Sequence, residues 1–148
     1  MDELAFMHAL NSVNPNPCVF GKVILSRHCA CSRVNIRHAA EREMVECSDE
    51  LARIKCSELL HSLRQNSAFA LKLTHVTPPL PHGPEMRVQI GGLQGLQREV
   101  DSAEQVTDIA ALVAAAHQKF GSLENLPYST IVQSVVSCVV RKKRPVAE

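Results

Sequence analysis

The chain has 148 residues, of which 45% are hydrophobic and 21% charged, a globular balance that excludes a disordered or fibrous chain. A formal net charge of +1 leaves no global electrostatic case for a nucleic-acid or anionic-membrane partner. The longest apolar run, residues 109–116, is far too short to suggest a membrane-spanning helix.

With four Phe, one Tyr and no Trp, the core must be built from Leu, Val, Ile and Ala. At the N-terminus, Asp2 and Glu3 stand where a secretory leader carries positive charge, and no long apolar stretch follows. The expected setting is therefore cytoplasmic, with reduced thiols.

In chain order, residues 2–13 predict a short helix that stops at Asn14, Pro15, Asn16 and Pro17. Residues 22–26 form a β-prone run. Residues 34–46 predict a second short helix with Ile36, Ala39, Ala40 and Met44 on one face. A long helix is expected over 48–73, capped by Ser48, with Asp49 and Glu50 in its first turn and a stripe of Ala52, Cys56, Leu59, Leu60, Leu63 and Ala70.

Residues 74–84, with four prolines, form a connector. Alternation of Met86, Val88 and Ile90 predicts a strand over 85–90, followed by a loop at Gly91, Gly92 and Gly95 and a second strand over 96–100. Ser102 with Gln105 reads as a capping box. It opens a helix carrying Val106, Ile109, Ala110, Val113, Ala116 and Phe120, with Gly121 as its stop. A last helix begins near Pro127, with the stripe Ile131, Val132, Val135, Val136, Val139 and Val140, although its β-branched content also suits a strand.

The fold class expected is α+β and mostly α-helical. A Cys-rich metal-binding half (1–73) contains the long central helix, and a connector (74–84) leads to a short β-hairpin and two C-terminal helices (85–148) packed with the first half.

Five of the six cysteines, Cys18, Cys29, Cys31, Cys47 and Cys56, fall between positions 18 and 56. In a reducing compartment such clustering favours metal or redox chemistry over disulfides. All five are candidate metal ligands. Thiolates at Cys29 and Cys31 can share a face in an extended segment or converge in a bend. Cys47 stands just before a predicted helix N-terminus, which stabilises thiolate. Four thiolates suffice for an iron–sulfur cluster, and the preferred set is Cys18, Cys29, Cys31 and Cys47. Cys56 is the substitute, because on one straight helix it would lie about 13 Å from Cys47. It joins the set only if Cys47 folds back outside the helix.

The favoured cofactor is an iron–sulfur cluster, [4Fe–4S] ahead of [2Fe–2S]. Zinc is the alternative, disfavoured because the chain has no paired C-x2–4-C knuckle. Arg27, His28, Arg33, Arg37 and His38 supply positive charge for an anionic cluster. The remaining signals read more plainly. His28, His38 and His61 are surface histidines, Glu41, Glu43, Asp49 and Glu50 are solvated carboxylates, and Cys138 is a core residue. The glycines at 91–95 make either a tight turn or a close backbone approach to the metal centre or a partner.

The function expected is a small iron–sulfur protein in electron transfer or redox sensing. It would work with a redox partner or as an accessory subunit of a larger complex, with no activity as an enzyme by itself assigned. The alternatives are a zinc-stabilised adaptor and a metal- or redox-responsive DNA-binding regulator using the C-terminal helices and the basic residues Arg141, Lys142, Lys143 and Arg144. The apolar last helix argues against the regulator.

Overall fold

The computed structural model describes residues 16–76, 80–101 and 105–140. The helix expected over 2–13, the Ser102 cap and the basic residues at 141–144 lie outside the described residues.

The first element, α1 (Gly21–Leu25), is a short helix, not the strand expected over 22–26. Val23 and Ile24 are consecutive and both are buried, whereas a strand would point them to opposite faces. The Phe20 carbonyl accepts the N–H groups of both.

Residues 34–47 form a hairpin where a helix was predicted. Strand β1 (Val34–Ala39) pairs antiparallel with β2 (Arg42–Cys47), with Val34 opposite Cys47 and Ala39 opposite Arg42. The two turn residues, Ala40 and Glu41, both have positive φ, 51° and 67°. That is the backbone sense which joins two twisted strands through two residues. The turn lacks the Asn or Gly that normally announces it, and Ala, Glu and Arg are good helix formers, so local propensity pointed the wrong way. Tertiary pairing prevails because Val45 and Cys47 alternate onto the buried face of β2.

After a turn at Ser48 and Asp49 the chain enters α2 (Glu50–Ser67). Its cap is Asp49, which accepts the Ala52 N–H at 3.1 Å. Ser48, the expected cap, instead donates its hydroxyl to the Arg33 carbonyl at 2.7 Å. Cys56, Leu59, Leu60 and Leu63 are buried, as the stripe predicts. The helix closes at Ser67, short of the expected 73. A turn over 68–72 follows, in which Lys72 takes a left-handed conformation.

The expected strand, loop and strand are one helix, α3 (His82–Asp101). Pro84 sits in its first turn, where a missing N–H costs nothing. The three glycines that read as a loop lie mid-helix because neighbours occupy the space a side chain would need. A Cβ on Gly91 would stand 2.6 Å from Val135 Cα and 2.7 Å from the Ser134 carbonyl oxygen. On Gly92 it would meet a Leu63 methyl at 2.8 Å, and on Gly95 the Ser134 side chain at 3.0 Å.

Helix α4 (Ile109–Phe120) is capped by Asp108 and ends at Gly121, whose φ of 83° is left-handed. A single 3-10 turn (Leu123–Asn125) leads to α5 (Tyr128–Ser137), with Pro127 at its N-cap. Ile131 and Val135 of α5 are buried against the glycine face of α3. Its β-branched content does not make it a strand, and Val139 and Val140 lie beyond its end, exposed.

The described chain is thus α+β and mostly helical, with one two-stranded sheet. One hydrophobic core joins α1, β2, α2, α3, α4 and α5. A bidentate ion pair links α2 and α3. Arg64 Nε and Nη2 donate to the two Glu85 oxygens at 3.0 and 2.7 Å, and Gln89 donates to the same carboxylate. Glu85 is buried, yet its carboxyl stays below the usual range. Burial pushes it up, and the hydrogen bonds from Arg64 and Gln89 with the nearby positive charge outweigh that. Among the described residues no helix is long and apolar enough to cross a membrane.

Candidate metal centre

The inward face of the hairpin is the starting point. Residues 16–18 add to the free edge of β2 through Cys18 N–H to the Val45 carbonyl (3.0 Å) and Cys47 N–H to the Asn16 carbonyl (2.8 Å), around a bridge between Pro17 and Glu46. This register sets Cys18 opposite Val45. Paired residues share a face, and Val45 shares its face with Cys47. Cys18 and Cys47 are therefore diagonal neighbours, with backbones roughly 7 Å apart in such a ladder.

Cys31 arrives from the loop before β1. The Arg33 carbonyl holds that loop against Ser48 by accepting its N–H at 2.8 Å. Cys56 arrives from the buried face of α2. Cys47 belongs to β2 and lies outside that helix. The separation that argued against a Cys47–Cys56 pair therefore does not apply, because the chain reverses between them.

Several thiols act on one another's ionisation. Burial pushes Cys56 up to about 12, and Cys18, Cys31 and Cys47 add to the rise. Burial likewise pushes Cys18 up to about 11. The Phe20 N–H opposes the rise, and Cys31 and Cys47 add to it. Cys31 is raised by burial against the N–H groups of Arg33 and Ala110, which pull it down. Four sulfurs from four separate segments thus share one region. Two of them, Cys18 and Cys31, receive the amide of the residue two positions on, a turn that favours thiolate. The Cys47 thiol donates to the Asp49 carbonyl at 3.3 Å.

Cys29 is perturbed differently. Burial pushes its thiol up to about 12, and the one cysteine acting on it is Cys138, which sits half-buried at the end of α5. Cys31 and Cys47 perturb the ionisation of Cys18, those three perturb that of Cys56, and Cys138 perturbs that of Cys29. Among the described residues no group of three or more His, Cys, Asp or Glu side chains that could hold a metal ion is found.

The expected positive surroundings are thinner than the sequence suggests. Arg37 faces out from the hairpin and pairs with Glu46 at 2.7 Å. His28 Nδ1 stands 2.6 Å from the Ser26 hydroxyl, and His38 and His61 are exposed. Arg33 remains near the sulfurs, 3.8 Å from the Asp49 carboxylate.

Asp108 is the neighbour that the spacing of cysteines could not reveal. It accepts the Ser32 N–H at 3.1 Å and caps α4 through the Ala111 N–H at 3.4 Å, and the Cys31 thiol donates to it. Burial pushes its carboxyl up, but these bonds outweigh burial and keep it below the usual range. The available signal was an aspartate directly before an apolar helical run. An open cavity of about 280 Å³, lined by Ser32, Arg33, Asp49, Lys55 and Asp108 among others, lies beside this corner. A second groove of about 410 Å³ is lined by Cys29, Cys31, Val34, Ile36 and Val106 among others.

No family model matches this chain, and no curated protein or solved structure is significantly similar to it.

Proposed function

We propose that this chain binds an iron–sulfur cluster through Cys18, Cys31, Cys47 and Cys56 and serves in electron transfer or redox sensing beside a protein redox partner. The observation that carries this reading is the convergence of four sulfurs from the residue 16–18 segment, the loop before β1, the end of β2 and the face of α2. The thiols are close enough to act on one another's ionisation. A tetrahedral zinc ion needs sulfurs about 3.8 Å apart, from Zn–S bonds near 2.3 Å. A cluster is ligated through several irons, so its ligand sulfurs stand further apart than those around one zinc ion.

A bound cluster supplies one-electron chemistry at a potential governed by its charge, its hydrogen bonds and its exposure. The protein's part is to deliver four thiolates, give up their protons on metal entry and exclude water. Burial of Cys47 and Cys56 and the amides of Phe20, Arg33 and Ala110 fit that part. A docking partner would meet Leu51 and Ile54, large apolar side chains exposed on the outer face of α2.

The test is anaerobic purification with iron, sulfide and zinc quantified. Iron with equivalent sulfide and a visible thiolate-to-iron absorption are expected. Ser substitution at Cys18, Cys31, Cys47 or Cys56 should remove both, and at Cys29 or Cys138 should leave them. A colourless, iron-free protein sinks the proposal. Zinc near one equivalent without sulfide would favour a zinc-stabilised adaptor.

A further inference from the structure

Strand β1 is the outer strand of the sheet, because residues 16–18 occupy the other edge of β2. Backbone groups alternate in direction along an antiparallel strand. Val45 and Cys47 turn theirs toward residues 16–18, so Met44 and Glu46 bond to β1 through their partners Arg37 and Asn35. Val34, Ile36 and His38 therefore direct their N–H and C=O groups away from β2, and among the described residues no backbone group meets them. Folded proteins blunt such an edge with a proline, a lysine or a bulge. Strand β1 has none of these, and its register with β2 runs unbroken from Val34 to Ala39. Beside this edge lies the groove of about 410 Å³, lined by Val34 and Ile36 together with the buried Ile24, Cys29 and Val106. Ile36 shares the face of buried Val45, yet it is 48% exposed.

We propose that this edge and groove bind an extended segment of a partner protein, which adds to β1 as a further strand and carries apolar side chains at alternate positions and a carboxylate at its rim. The outward backbone groups of Val34, Ile36 and His38 fit an extended chain, whose main-chain hydrogen bonds supply affinity. Alternate residues of a strand share a face, so every second side chain of the segment enters the apolar groove. The carboxylate answers Arg27, which is exposed and is the charged residue of the lining among those described. A second copy of this chain fits less well. Pairing β1 with itself would bring Arg37 and no carboxylate of that strand beside Arg27. The inference needs no bound metal and stands apart from the cluster reading.

The experiment is amide hydrogen exchange, read by NMR, on the full chain alone and with a blocked peptide of alternating Val and Thr that has Glu at both ends. The same peptide with Lys at both ends is the control. In the free chain the N–H groups of Val34, Ile36 and His38 should exchange fast and those of Asn35 and Arg37 slowly. The Glu-ended peptide should slow the first three, the Lys-ended one should bind severalfold more weakly, and Arg27→Glu should reverse that order. Ile36→Pro removes an outward N–H and spares the ladder to β2, so it should abolish binding while Asn35 and Arg37 stay protected. Slow exchange at Val34, Ile36 and His38 in the free monomer means that another part of the chain covers the edge. Protection that grows with protein concentration means that a second copy does. Either result overturns the proposal, as do no slowing by the Glu-ended peptide, equal binding of the two peptides, or undiminished binding by Ile36→Pro.

Discussion

The hairpin region, residues 16–49, and the α3–α5 pair bring chain segments together by opposite means. Between α3 and α5 the approach depends on missing side chains, since Gly91 and Gly95 admit the α5 backbone near Ser134 and Val135. On the hairpin the approach depends on side chains that point to one place, with Cys18, Cys31 and Cys47 joined there by Cys56 from α2. The first arrangement is flanked by arginines of α3, with Arg98 donating to the Ser134 hydroxyl and Arg87 to the Val136 carbonyl. The second is assembled from separate segments, each with its own backbone constraints, and gathers the reactive atoms. The helices therefore act as the frame, and the hairpin edge is where chemistry is possible.

The largest expected effect falls on the frame. Glu85→Ala strands the Arg64 guanidinium, whose side chain is 16% exposed, and should cost about 3–5 kcal/mol, the usual result of breaking a buried pair. Because the Glu85 carboxyl is lowered in the fold, the pair's contribution is complete above the ordinary Glu range near pH 4.3. It is lost as acidification takes the carboxyl through its lower folded value. Urea titration of wild type and variant between pH 7 and pH 3 should show the gap between them closing, and a constant gap would contradict the assignment.

A smaller effect tests the glycine contact directly. Gly91→Ala gains roughly 1 kcal/mol of helix propensity but forces a Cβ into the Val135 and Ser134 backbone, an overpacking cost of about 1–3 kcal/mol. The net should be destabilising. In the same helix a Cβ on Gly83 meets nothing within 4 Å, so Gly83→Ala should be neutral or stabilising. Thermal melts of the two variants should move in opposite directions, and equal shifts would mean that the α3–α5 approach is looser than described.

The smallest effect belongs to the hairpin side, in the metal-free protein. Burial raises the Cys56 thiol to about 12, so its neutral form is favoured by the fold. That contribution is fully present below the ordinary thiol value of 9.0 and is lost as pH rises from there toward the folded value. Wild type should lead Cys56→Ala by on the order of 1 kcal/mol at pH 8, and the lead should shrink above pH 9. In the metal-loaded protein the trend reverses, because ligation needs the thiolate.

Local signals were sufficient for several parts of this molecule. The stripe through Cys56, Leu59, Leu60 and Leu63 located α2, the apolar run ending at Gly121 located α4, and Pro127 marked the start of α5. Each of these encodes its own period, although α2 is capped by Asp49 and closes at Ser67, short of the expected 73. The clustering of cysteines in the first third pointed to the region that gathers four of them.

The corrections at 34–47 and 85–100 depended on distant neighbours. The run 34–47 has helix-forming composition and a turn without Gly or Asn, and only its pairing, with residues 16–18 on the other edge, makes it a sheet. The glycines of α3 resemble a loop until the α5 backbone is seen to need the room. Cys47 appeared too far from Cys56 because their separation was reckoned along one straight helix, whereas Cys47 ends β2 and Cys56 lies in α2. A local pattern records the conformation a segment prefers alone. It holds no record of which other segment will stand beside it, and in this protein that proximity decides the hairpin edge and the close helix pair.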